Sequence, residues 1–156
     1  MEYLNEKDIA IEFAQRTLEI WNLHQNQKYD VTLTINLMLG LVVIPKQLSY
    51  YDPKFFFKDD QFRRELENAC TYREEPFTAE YVIRKVRNSI CHGRMEIKGV
   101  KSVCKKQASK IESIRFVDRK GDSQPINFDM EVSVDLLKRF VSAFAQAVIS
   151  YGASTL

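Results

Sequence analysis

Three residues near the middle of the chain have the types and spacing to do chemistry: Arg87, Asn88 and His92, written Arg-Asn-x-x-x-His. Arg offers a fixed fork of donors to a phosphate, and His moves a proton near neutral pH. Asn88 and His92 are i,i+4 neighbours on a helix, so their side chains can meet. The stretch that carries them, Val82 to His92, lies between Thr78, a good N-cap, and Gly93, a good C-cap. That predicts one helix of about four turns. On a wheel of 100° per residue with Arg87 at 0°, Val82, Val86, Ile90 and Ile83 fall between about 220° and 320° and form the core face. Arg87, Cys91, Arg84, Asn88 and His92 fall between about 0° and 140°. The plain alternative is that this second face is only the solvated side of an amphipathic helix.

Other chemistries find little support. The five glycines form neither Gly-x-Gly-x-x-Gly nor Gly-x-x-x-x-Gly-Lys, so a nucleotide cradle is not expected. Two His and three scattered Cys have no zinc spacing, and no metal or cofactor is expected. Cys91 and His92 are adjacent on a helix, which does not by itself make a nucleophile pair. No carboxylate cluster suggests magnesium-dependent nuclease chemistry. Cleavage of RNA without a metal remains. RNA carries its own nucleophile, the 2′-OH, so an enzyme need only deprotonate it, protonate the leaving 5′ oxygen and stabilise the crowded phosphate. His92 suits the proton transfers, Arg87 the phosphate, and Asn88 the orientation of phosphate or imidazole. One His per site falls short of a two-proton reaction.

The Arg87-Asn88 and His92 spacing, on a late helix of a small helical domain, resembles the motif of HEPN-domain ribonucleases. The resemblance covers the helical body and is specific only at those residues. It implies a mainly α, HEPN-like bundle of about five helices with a β-hairpin before the C-terminal helix. It also implies a metal-independent endoribonuclease acting as a homodimer, in which two motif helices face to face supply two His and two Arg and leave cyclic phosphate ends. Phage defence or a toxin-like role is implied by the same resemblance. HEPN toxins paired with nucleotidyltransferase antitoxins carry Tyr two residues after the His, whereas Arg94 stands there in this chain; an antitoxin or activator partner is not readable. The reading from another class is a non-catalytic HEPN-like module that binds RNA, a nucleotide or a protein.

A net charge of +2 conceals an asymmetry. Residues 84 to 120 hold twelve Lys and Arg against three acids, which is +9 and leaves −7 for the rest. A basic segment joined to the Arg-His helix suits a polyanion, with Arg84, Arg94, Lys98, Lys101, Lys105 and Lys106 as candidate RNA contacts. A solvated loop without a ligand is the alternative. At 156 residues and 45% apolar, the chain fits one domain, 1–156, with a real core. No apolar run is long enough to span a bilayer, and the acidic start lacks an h-region, so a cytoplasmic protein without membrane contact is expected. Cys70, Cys91 and Cys104 fit reduced thiols.

Helices must position the motif. Asn5-Glu6-Lys7-Asp8 starts a first helix with Ile9, Phe13, Ile20 and Trp21 along it, ending near His24. His24 reads as a helix-end histidine and not as a catalytic candidate. Tyr29-Asp30 starts a second, apolar helix that Pro45 should end; its Val-Val-Ile end leaves a strand as the competing reading. Residues 46 to 58 look irregular, with Phe55-Phe56-Phe57 plugging the core or stacking bases. Asp59-Asp60 caps a third helix with the stripe Phe62, Leu66, Ala69 and Cys70, the last a small buried hydrophobe. Residues 74 to 78 form a linker. A basic, mobile loop with a short strand or helical turn is expected over about 94–110 and a hairpin over about 111–132. Ser133 caps a final helix with the stripe Leu137, Phe140, Val141, Phe144, Val148 and Tyr151.

Overall fold

The computed structural model of the protein describes residues 5–27, 30–100 and 110–154. Tyr29, Lys101, Cys104, Lys105, Lys106 and most of the expected basic loop lie outside these residues. The fold is mainly α: six helices and one antiparallel four-stranded sheet among the described residues.

The first helix, α1, spans Glu6–His24, and the Asn5 side-chain Oδ1 caps it by accepting the Asp8 N–H at 2.9 Å. Its buried side is not the expected Ile9–Ile20 stripe, since Ile9 is 48% and Ile20 43% exposed. Ala10, Ala14, Thr17, Leu18 and Trp21 face inward instead. Small residues let α1 lie close to its neighbours. A Cβ on Gly40 would stand 3.1 Å from the Phe13 ring, and one on Gly152 would stand 2.5 Å from Ile11 Cδ1. Two bare glycine backbones thus receive two large side chains of α1. The Trp21 indole N–H donates to Thr34 Oγ1 at 3.1 Å, which satisfies a buried donor.

The second helix, α2, runs over Asp30–Leu48 and passes through Pro45 instead of ending there. A proline this near a helix end forfeits one backbone hydrogen bond, to the carbonyl four residues back, which the remaining turns tolerate. Asp52 then caps a single turn, α3 (Pro53–Phe56), by accepting from the N–H groups of Lys54 and Phe55. Phe56 is the hub of the aromatic core, with ring centroids 5.1 Å from Phe140 and 5.6 Å from Phe62. Phe55 and Phe57 are half-buried against the same core. Asp59 caps α4 (Asp60–Ala69), which buries Phe62 and Leu66.

Cys70 does not continue the α4 stripe. It opens a short strand, β1 (Cys70–Arg73), and is half-buried, and burial pushes its thiol pKa up. Four residues carry too little alternation to mark this strand in the sequence. The motif helix α5 covers Ala79–Cys91 and is capped by Thr78 Oγ1, which accepts the Tyr81 N–H. Of the short strand or helical turn expected within 94–110, the structure shows the strand, β2 (Met95–Val100). It pairs with β3 (Lys110–Arg119), which pairs with β4 (Ile126–Ser133). The sheet order is β1-β4-β3-β2. Ile114, Phe116, Phe128, Met130 and Val132 fill its inner face. Ser133 ends β4 and caps α6 (Val134–Ala153), whose Leu137, Phe140, Val141, Phe144 and Val148 are buried as the stripe predicts.

Candidate active site

The end of α5 sets the geometry. His92 is its C-cap, and Gly93 follows with φ +63. The Gly93 N–H donates to Ile90 O at 3.1 Å and the Arg94 N–H to Ser89 O at 2.8 Å. These two bonds close the left-handed helix end that glycine favours. The chain therefore turns sharply after His92, and Arg94 comes back beneath the helix toward β3.

There it meets a buried acid. Asp118 is 3% exposed and Lys85 7% exposed. Lys85 Nζ donates to Asp118 Oδ2 at 3.0 Å and to Asn127 Oδ1 at 2.7 Å. Asn88 Nδ2 donates to the same Oδ2 at 3.2 Å, and Arg94 Nη1 reaches Oδ1 at 3.4 Å. Burial alone would raise the Asp118 pKa, but the hydrogen bonds from Lys85 and Asn88 outweigh it and hold the carboxyl below the usual range. Arg94 also donates to the Arg119 carbonyl and to Asp122 Oδ1, each at 2.8 Å. The Arg94 hydrogen bond lowers the Asp122 pKa, and His92 lies within electrostatic reach of that carboxylate.

Asn88 and His92 line one cavity of about 360 Å³ at this end of the helix, walled also by Arg84, Lys85, Asp118 and Lys120. Arg87 does not line it. Its Nε is buried without a hydrogen-bond partner among the described residues. A single chain thus brings together Asn88 and His92 but not Arg87, in keeping with wheel positions about 140° apart.

The expected RNA contacts fare unequally. Arg84 pairs with Glu75 at 2.8 Å and stays at the cavity wall. Lys98 pairs with Glu131 at 2.6 Å on the sheet surface. Arg94, with its side chain 13% exposed, ties the helix end to the β3–β4 turn and presents little surface to a phosphate. Lys101, Lys105 and Lys106 lie outside the described residues. Asp118 and Lys85 were missed. The signal was present in the period of two along β3, since Ile114 and Phe116 face inward and position 118 must follow them. An acid on a core face needs a partner, and Lys85, one step from the core face of α5, is that partner. Among the described residues no group of three or more His, Cys, Asp or Glu is placed to hold a metal ion.

Residues 1–154 match the family model HEPN pEK499 p136. The chain belongs to this HEPN family. Neither the curated proteins nor the solved structures gave a match. No helix among the described residues of this HEPN domain is long and apolar enough to cross a membrane.

Proposed function

We propose that this HEPN domain is a metal-independent endoribonuclease that cleaves RNA by attack of the 2′-OH, with Arg87, Asn88 and His92 as its catalytic residues in a homodimer cleft. His92 takes the proton from the 2′-OH, O2′ attacks the phosphorus, and the P–O5′ bond breaks. The partner's His92 gives a proton to the leaving 5′ oxygen. The products are a 2′,3′-cyclic phosphate and a 5′-OH. Arg87 holds the phosphate as charge builds on its non-bridging oxygens. The observation that carries the reading is the shared cavity of Asn88 and His92 at the end of α5, with Asn88 anchored on a buried carboxylate. The separation of Arg87 from that cavity is what a composite site asks for, because the arginine then serves across the dimer axis. Arg84 and the Lys of residues 98–106 serve as RNA contacts in this reading, and a cytoplasmic toxin-like or antiviral role goes with it.

Pairing of Arg84, Arg94 and Lys98 with acids favours a second reading, a non-catalytic HEPN-like binding module. End-labelled single-stranded RNA incubated in EDTA with wild type, His92→Ala and Arg87→Ala separates the two. The nuclease reading expects cleavage to cyclic phosphate ends by the wild type and a loss of about 10²–10⁴-fold in His92→Ala. RNA left intact by all three proteins, yet bound with steep salt dependence, would establish the binding module in its place.

A further inference from the structure

We propose that Asp118 is a positioning residue for His92, acting through Asn88. Only the NH2 end of the Asn88 amide can face an ionised carboxylate, because such a carboxylate has nothing to donate. Asp118 is kept ionised by two cations, Lys85 at 3.0 Å and Arg94 at 3.4 Å. Its grip on Asn88 Nδ2 at 3.2 Å therefore fixes the amide in one of its two flips. The carbonyl oxygen, at the other end of a planar group, is left for the cavity that Asn88 shares with His92. There it stands one helical turn from His92. The two side chains are not bonded to each other in the structure, and a turn of the ring toward Asn88 makes this oxygen the acceptor of the imidazole N–H and selects one neutral tautomer. The other ring nitrogen keeps its lone pair free for a proton. Asn88 is thus an acceptor toward His92 and not a donor to the phosphate. Arg94 acts on the same segment from the far side. It joins Asp118 to Asp122 and so clamps the turn that follows His92.

The catalytic meaning of this relay rests on the nuclease reading; the relay itself does not. The chain has two histidines, His24 and His92, so long-range ¹H–¹⁵N spectra of the imidazoles resolve into two sets, assigned with His24→Gln. The spectra are recorded at a pH where His92 is neutral. Wild type is expected to show His92 as a single tautomer. Asn88→Ala and Asp118→Asn are each expected to turn it into a mixture. Asn88→Ala leaves the Lys85–Asp118–Arg94 cluster in place and stays informative if Asp118→Asn does not fold. A tautomer mixture in wild type, or a single tautomer that persists in Asn88→Ala, overturns the proposal. In RNA cleavage, Asp118→Asn is expected to lower kcat by about 10–100-fold with KM within about twofold. A wild type that shows the single tautomer but cleaves no RNA supports the relay and refutes only the nuclease reading.

Discussion

Removing either member of the buried Lys85–Asp118 pair should destabilise the domain, but by unequal amounts. The difference follows from what each deletion leaves behind. Asp118→Ala strands Lys85, 7% exposed, with Asn127 Oδ1 at 2.7 Å as its one remaining polar contact in the cluster. An uncompensated buried charge costs about 3–5 kcal/mol. For a domain of this size that lowers Tm by roughly 10 °C. Lys85→Met leaves Asp118 with Arg94 at 3.4 Å and the Asn88 amide at 3.2 Å, so its charge stays compensated. The cost there is one charge-assisted hydrogen bond, about 1.5–3 kcal/mol, because removing the desolvated ammonium offsets the Asn127 acceptor left unpaired. Urea titrations of both variants at pH 7 read the two values directly. Acid supplies a second axis. The folded Asp118 pKa lies below its unfolded value of about 3.9, so its contribution is complete above that value and is lost as pH falls through the folded one. The cost of Asp118→Ala should therefore be full at pH 7 and shrink below about pH 4. If Lys85→Met proved as damaging as Asp118→Ala, Arg94 would not be compensating Asp118 and the electrostatic account of the helix end would fall.

Three further outcomes test the scaffold around the site. Phe56→Ala, which empties the hub between Phe62 and Phe140, should cost about 3–5 kcal/mol in a urea titration. Gly93→Ala meets no steric contact among the described residues but must adopt φ +63, so about 1–2 kcal/mol of backbone strain is expected in the same assay. Gly152→Ala should overpack the α1–α6 contact by about 1–3 kcal/mol, and Ile11→Val, which removes the methyl 2.5 Å away, should recover part of that Tm loss.

Helices α1, α4, α5 and α6 were legible because each has a capping residue and an apolar stripe, whereas α3 is a single turn within residues 46–58, which read as irregular. Asn5, Asp59, Thr78 and Ser133 all cap where their types predict. The exception is α1, where Ile9 and Ile20 mark the wrong face. Apolar size identifies a stripe but does not reveal that Ala10 and Ala14 allow the closer approach. Of the two outer strands, β1 is not legible in the sequence and β2 is legible only as one of two alternatives, a short strand or a helical turn. β1 is four residues long, and β2 sits in a stretch whose lysines hide its alternation. Their strand identity comes from β4 and β3, which lie far away in sequence.

The same distance in sequence undoes the charge count. Read along the chain, residues 84 to 120 are a +9 segment with only three acids among its twelve bases. In the fold, Arg115 meets Asp129 at 2.6 Å, Lys98 meets Glu131 at 2.6 Å, and Arg84 meets Glu75 at 2.8 Å. Pairing of antiparallel strands delivers acids from β4 to bases on β2 and β3. Asp118, itself one of the three acids in the segment, engages Lys85 and Arg94 together. Among the described residues of the segment, Arg87, Lys110 and Lys120 alone keep cationic charge without an acidic partner or a carbonyl acceptor. Arg87 belongs to the motif, and Lys120 lines the cavity of Asn88 and His92. Among the described residues of this segment the unpaired positive charge is therefore small, and two of its three carriers, Arg87 and Lys120, lie near the end of α5.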